Sequence, residues 1–336
     1  MKGLVSILIP AFNAGKTIAS TLRSAIAQTW ENKEIIVVDD GSKDDTLSIA
    51  RSFESQGVRV VTQANQGAAA ARNRAFLECR GDYIQWLDAD DLLSPNKVEA
   101  QMRVLRGKDV LLSSGWAEFL HRPKHARFVP SPLWADLQPA DWLVRKLSLN
   151  LHMQTATWLV SRELTEAAGP WDTRLMVDDD GEYFCRVLLA SSGVQFVPGP
   201  GVYYRSSGVS SLSYIDRSAK KIRAHWTSMV LHMKYLRSLE ESPRVRQACL
   251  NYLHTWLIYF YPEHVDIVRE AEELAQELGG RLDPPSLSWK YSWIKSVLGW
   301  RAAKLVQAEA RGLRWSIQRR WDRFLSALEG SAELTS

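Results

Sequence analysis

Short runs of aliphatic and β-branched residues recur through the first part of the chain, at 5–9, 34–38, 58–62, 82–87 and 109–113. Most intervals between them carry apolar residues at helical spacing. In the first, Ile18, Leu22, Ala25, Ile26 and Trp30 fall on roughly one face. Strand–helix–strand units of this length predict an α/β fold, a mostly parallel sheet flanked by helices on both sides. Open sheets of that kind bind ligands at the carboxyl ends of their strands. Beyond residue 116 the pattern loosens into stretches such as RFVPSPLW and GPWDTRL, with a strand expected at 155–160, a helix at 181–189 and a strand at 201–205. After Tyr214 the chain reads as helical, with breaks at Ser242-Pro243, Gly279-Gly280 and Asp283-Pro284-Pro285. The expected organisation is one domain over 1–212, in halves 1–115 and 116–212, followed by a helical region over 213–336.

Three strand ends carry the chemistry. The first run gives way to Pro10-Ala11-Phe12-Asn13, the second to Asp39-Asp40-Gly41-Ser42 and the fourth to Asp88-Ala89-Asp90-Asp91. In a parallel sheet all three open on one edge, which gathers five carboxylates near one crevice. Like charges that close must be hydrated, paired or bound to a cation. Asp88 and Asp90, at i and i+2 on a loop leaving a strand, can converge on one divalent cation that bridges the phosphates of a nucleotide diphosphate. Asp91 competes with Asp90 for that ligand role. One of these acids also suits a helix cap, because Asp91 or Ser94 precedes Pro95-Asn96-Lys97-Val98. Asp39-Asp40 suits either an Asx turn or a carboxylate that accepts the N3–H of a uracil beside Asn13, with Phe12 lying flat on a ring. Two familiar nucleotide motifs are excluded. AFNAGKT has Pro10 where a Walker loop needs its first glycine, and no GxGxxG follows the first strand.

The segments VSILIPAFNAGKTIASTLRSAIAQTWENKEIIVVDDGSKDDT, NQGAAAARNRAF and GDYIQWLDADD, in that order and spacing over about the first 115 residues, resemble family 2 glycosyltransferases. The resemblance implies the GT-A (nucleotide-diphospho-sugar transferase) fold, a nucleotide-diphosphate sugar donor with UDP as the expected nucleotide, and inverting transfer to an acceptor hydroxyl in glycan or polysaccharide synthesis. It also implies Mn2+ or Mg2+. Pro10, Ala11, Phe12 and Asn13 match the loop that lines the base pocket, Phe12 standing where many members have Tyr. Asp40 matches the acid that reads the pyrimidine. Asp88 and Asp90 match the DxD acids that hold ribose and metal, with Asp91 retained as a second metal candidate. Gly67, Arg72 and Asn73 match the GxxxARN segment beside the donor. The family's catalytic base falls in VDDDGEYFCRV; the alignment sets it on Asp180, with Asp179 as the fallback because three consecutive acids leave the register open by one residue. Acids at a helix start also serve as caps. Many relatives have a His-containing loop near the metal or phosphate, and here the corresponding stretch has no His, leaving Arg205 and Ser206, Ser207, Ser210 and Ser211 as candidates for the diphosphate.

Composition changes this picture little. Hydrophobic residues at 46% and charged residues at 24% describe an ordinary globular protein. Cys79, Cys185 and Cys249 lie far apart without metal-ligand spacing, which favours a reduced, intracellular setting. No signal-peptide pattern opens the sequence and no window reaches about 18 uninterrupted apolar residues. The expected location is cytoplasmic, or peripheral at the inner face of a membrane. Charge changes the picture more. The net charge of +4 conceals nine Lys/Arg against two acids between 286 and 324, so the remainder is near −3. The same stretch holds five of the fourteen tryptophans, and Trp289, Trp293, Val297 and Trp300, then Leu313, Ile317, Trp321, Phe324 and Leu328, follow helical spacing. Such a region (286–328) either makes peripheral contact with an anionic membrane or packs on the domain or on another copy. Nucleic acid is not an expected partner, because no recognised module accompanies the charge. Two other functions compete: a nucleotide-sugar-binding scaffold without turnover, opposed by the intact Asp88, Asp90 and Asp180, and a nucleotidyltransferase, opposed by the missing Gly-rich basic loop after the first strand. Glycan, lipid-linked and protein acceptors all fit.

Overall fold

The computed structural model describes residues 3–206, 218–285 and 289–333. Strands β1 (Val5–Ala11), β2 (Lys33–Asp39), β3 (Val58–Thr62) and β4 (Tyr83–Trp86) alternate with helices α1 (Ile18–Ile26), α2 (Thr46–Arg51) and α3 (Ala68–Glu78). These four strands are parallel and lie in the order β3-β2-β1-β4. There follow β5 (Leu92–Leu93), α4 (Lys97–Val104), β6 (Val110–Phe119), β7 (Arg127–Phe128), α5 (Pro139–Leu149), β8 (Val160–Ser161), α6 (Arg162–Ala168), α7 (Asp179–Ala190) and β9 (Gly193–Arg205). The last part is helical: α8 (Ala219–Leu239), α9 (Pro243–Phe260), α10 (Val265–Glu277) and α11 (Trp289–Glu333).

Both faces of the parallel sheet are covered, as its near-continuous apolar strands require. Ile7 and Ile9 of β1 face Ile18, Leu22 and Ala25 of α1, and Leu8 points the other way into a cluster with Ala71 and Ala75 of α3. That second cluster runs on through Trp86, Trp158, Trp171 and Tyr183 to Trp226, Met229, Tyr252 and Leu253, so one buried core includes residues from both sides of position 212. α8 packs on α7, and α9 on α5.

Two expectations need correction. The run at 109–113 does not extend the first sheet. It opens β6 of a second sheet, ordered β5-β9-β6-β7, in which β6 pairs in parallel with β9. The edge of β4 that it would have joined is taken by the antiparallel β8, through Tyr83–Ser161 and Ile84–Val160. The strand expected at 155–160 is reduced to Val160–Ser161, because Thr155–Thr157 form a turn of 3-10 helix in which the Gln154 side chain accepts from the Ala156 amide at 2.6 Å. Trp30 lies beyond the end of α1 and is buried in a third cluster with Val5 and Tyr83. The three cysteines are buried free thiols. Among the described residues no helix is long and apolar enough to cross a membrane.

Candidate active site

The carboxyl ends of the parallel strands meet at one edge: Ala11 of β1 pairs with Asp39 of β2, which pairs with Thr62 of β3. The loops that leave this edge are tied to each other. Asn13, at φ 50°, accepts from the Lys43 amide at 2.8 Å and donates its own amide to Ser42 at 3.0 Å. Pro10 and Ala11 close β1, and the ring of Phe12 is left 48% exposed, a flat face that a base can stack on.

Asp40 is buried and accepts four hydrogen bonds. Gln63 Nε2 (2.8 Å) and the Gln66 amide (2.9 Å) reach one oxygen; Asn65 Nδ2 (3.1 Å) and the Gly67 amide (2.8 Å) reach the other. Four donors fill the acceptor sites of a carboxylate, so Asp40 orders the loop that enters α3. Gly67, at φ 93°, makes the left-handed turn that loop needs. The buried oxygen without a protein partner at this strand end is Oδ1 of Asp39, whose Oδ2 accepts from the Ser42 amide at 3.3 Å.

α3 brings Arg72 beneath the loop after β4. Its two terminal nitrogens donate to Asp88 at 2.8 Å and to Asp179, at the start of α7, at 2.7 Å. The guanidinium is 6% exposed and lies 4.4 Å from the ring centroid of Trp171. Burial works against its charge, but Asp179 and Asp88 outweigh it and raise its pKa. The neighbouring Asn73 has both ends of its amide occupied by the Trp171 backbone, at 2.9 and 2.8 Å, and thus fixes Trp171 under Arg72.

Asp90 is partly exposed, and burial, followed by the charge of Asp88, pushes its carboxyl up to about 6 against the pull of Arg205. Arg205 does not reach into open space. Its Nε donates to the Asp90 carbonyl at 2.8 Å, and its guanidinium covers the ring of Phe119. Asp91, expected as an alternative cation ligand, is turned inward. It is fully buried, accepts from the Arg205 amide at 2.8 Å and from the Gln154 side chain, and is held well above the usual carboxylate range by burial and then by Asp90 and Asp88. It ties β9 to the loop after β4. Ser207, Ser210 and Ser211 lie outside the described residues; Ser206 donates its amide to the Phe119 carbonyl.

The three consecutive acids at the start of α7 separate by partner. Asp178, at φ 58°, accepts from Ser228 of α8 at 2.8 Å; Asp179 accepts from Arg72; Asp180 accepts from Thr155 at 3.0 Å. Asp179 is pushed up to about 6 by burial, against Arg72, with Asp180 and Asp88 adding to the rise. Asp180 lines a cavity of about 20 Å3, room for one water-sized group, together with Lys146, His152 and Met153. The His152 ring makes an edge contact with Trp116 at 5.7 Å. Thr155, Gln154, Lys146 and Trp171 were not singled out by the sequence, since nothing in their spacing marks them; they matter through contacts made across the fold.

Among the described residues no three His, Cys, Asp or Glu side chains form a ready ligand set. Asp88 and Asp90 are a like-charged pair at the mouth of the crevice, and such a pair fits a cation whose remaining ligands are substrate phosphates and water.

Residues 6–126 match the model of Glycosyl transferase family 2. Over this segment the chain is similar to family 2 glycosyltransferases. A relative in Rickettsia prowazekii, described as an uncharacterized glycosyltransferase, is 38% identical over 198 residues, which cover 56% of this chain and 60% of that protein. The chain thus spans only about three fifths of that relative's length. The chain also resembles the crystal structure of S. aureus TarS 1-349 in complex with UDP-GlcNAc, with a TM-score of 0.64 at 17% identity over 83% of this chain and 82% of that one. The mannosyltransferase PcManGT of Pyrobaculum calidifontis, in complex with GDP-Man and Mn2+, matches with a TM-score of 0.51 at 17% identity over 99% of this chain and 86% of that one. At such identities the likeness is one of fold, and it is the GT-A type of α/β fold.

Proposed function

We propose that this chain is an inverting, divalent-metal-dependent glycosyltransferase that moves a sugar from a UDP-sugar to an acceptor hydroxyl. The observation that carries the reading is Arg72, which draws Asp88 of the donor loop and Asp179 of the α7 start onto one guanidinium and so brings Asp90 and Asp180 to the same crevice. The UDP-GlcNAc and the Mn2+ of the two structural neighbours are consistent with it.

In this reading Phe12 stacks on the base, Asp39 Oδ1 accepts the uracil N3–H, and Asp40 holds the 63–67 loop in place rather than touching the base. Asp88 faces the ribose. Asp90 would hold Mn2+ or Mg2+, which when bound would supply positive charge to offset that of the diphosphate leaving group. Asp180, oriented by Thr155, takes the proton of the acceptor hydroxyl as that oxygen attacks the anomeric carbon from the face opposite the leaving group. The incoming C–O bond forms as the C–O bond to the diphosphate breaks, and the configuration inverts. Asp179 stays engaged with Arg72.

Asp180→Asn should leave UDP affinity in the presence of Mn2+ within about twofold and reduce transfer by roughly 10²–10⁴-fold, the usual contribution of a general base. Titration calorimetry and a radiolabelled-sugar transfer assay give the two readouts. Retained turnover would move the base to Asp179.

A further inference from the structure

α11 docks on the rest of the chain by one face and leaves the opposite face bare. Asp322 accepts from the His121 amide at 2.9 Å and from Arg122 Nε at 2.8 Å, with both charged side chains largely covered. On the far side of the helix Leu313, Ile317, Trp321, Phe324 and Leu328 follow one another at steps of three and four, and each is more than half exposed. An apolar stripe of that length is not the surface of a helix that merely caps a domain.

We propose that this face of α11 lies on an anionic lipid bilayer, as an anchor in the plane of the interface. Charge selects this occupant. Between positions 313 and 328 four arginines, Arg314, Arg319, Arg320 and Arg323, stand against the one acid Asp322, and that acid is engaged by Arg122. A second copy of the chain seated on the stripe through a two-fold axis would bring two sets of these arginines together. An anionic headgroup layer accepts them, and takes the rings of Trp321 and Phe324 at the boundary with the acyl chains. The helix lies on the bilayer and does not cross it: none of the described helices has the apolar length to span. The segment on which α11 docks is linked to the loop after β4, since Leu120, next to His121, accepts from Arg205, which also holds the Asp90 carbonyl.

Co-sedimentation of the full chain with phosphatidylcholine vesicles, with and without phosphatidylglycerol, tests the proposal. The chain should partition onto the anionic vesicles at least about tenfold better than onto the neutral ones, and added salt should release it. The triple variant Ile317→Ser, Trp321→Ser, Phe324→Ser should lose about tenfold in partition with an unchanged melting temperature, because the altered side chains are exposed. Binding to neither vesicle, equal binding to both, or unchanged binding by the triple variant would overturn the proposal. So would light scattering that shows a dimer which Trp321→Ser dissolves, since the stripe would then belong to a second copy.

Discussion

Arg72 is a buried cation between two acids that lie far apart in the sequence, Asp88 after β4 and Asp179 at the start of α7. A lysine offers one point charge on a flexible stem, whereas the planar guanidinium donates in two directions at once while its face rests on Trp171. Arg72→Met should therefore lower stability by about 3 kcal/mol, because it leaves two partly buried carboxylates without their partner. Arg72→Lys, which keeps one pair at most, should fall between the variant and the parent. Urea unfolding at neutral pH measures both, and equal stability of all three proteins would show that the guanidinium does not hold the acids together. The sequence marked Arg72 through its motif and placed it beside the donor. It could not show that Asp179 would be the second partner, because the two residues are 107 positions apart and meet only through the packing of α3 against the loop that carries Trp171.

At the scale of elements, the first turn of α7 is set from behind by α8 and α9. Ser228 donates to Asp178, and the ring of His232 lies between Ser228, at 3.4 Å, and the Tyr252 hydroxyl, at 3.2 Å. Gly181 leaves room for this arrangement, since a Cβ there would run into the Asp178 carboxylate and the His232 ring. His232 is fully buried, and burial lowers its pKa to about 4, with Lys146 and His225 acting in the same direction and Asp178 against it. In the unfolded chain the ring titrates near about 6.5. Between these values the unfolded state binds the extra proton, so this contribution to stability is complete above about pH 6.5 and is lost as pH falls toward 4, by about 3 kcal/mol at most. His232→Gln should flatten that slope, as read from urea midpoints at pH 7 and pH 4.5; an unchanged slope would mean that His232 does not titrate on unfolding. Asp178, whose pKa is lowered, acts at more acid pH. Asp90 and Asp179, pushed up to about 6, titrate inside the window with the opposite sign, and His225, lowered by burial, with the same sign. The readout is therefore the difference between the parent and His232→Gln slopes. The start of α7 was legible in the run of acids, and the parallel strands in their alternating periods, because both signals are local. The partners of those acids, and the departure of β6 into a second sheet, depend on residues far along the chain: β6 finds β9 some eighty positions later. The strand ends were legible as a group of carboxylates, yet whether Asp39 or Asp40 keeps a free oxygen is decided by the side chains and amides of the 63–67 loop.

At the scale of the whole molecule, α11 is tied to the rest of the chain at two well-separated places among the described residues. Near its break at Gly299, the ring of Trp300 meets Tyr261 edge-on at 5.2 Å, and Lys304 donates to the Tyr261 carbonyl at 2.7 Å and to Glu263 at 2.8 Å. Farther along, Asp322 is the polar attachment to the 121–122 segment. Among the described residues between and beyond these anchors, Leu305, Val306, Leu313, Ile317, Trp321, Phe324 and Leu328 are exposed, so these apolar side chains add little packing to the docking. Asp322→Ala removes its two hydrogen bonds to the 121–122 segment, each of order about 1.5 kcal/mol, and should speed amide hydrogen exchange over 312–333 by roughly ten- to a hundredfold. Exchange over 300–306 should be unchanged, because Lys304 and Trp300 keep their contacts. Exchange that rises equally in both stretches would show that α11 docks as one rigid unit, and exchange that rises in neither would show that Asp322 holds nothing.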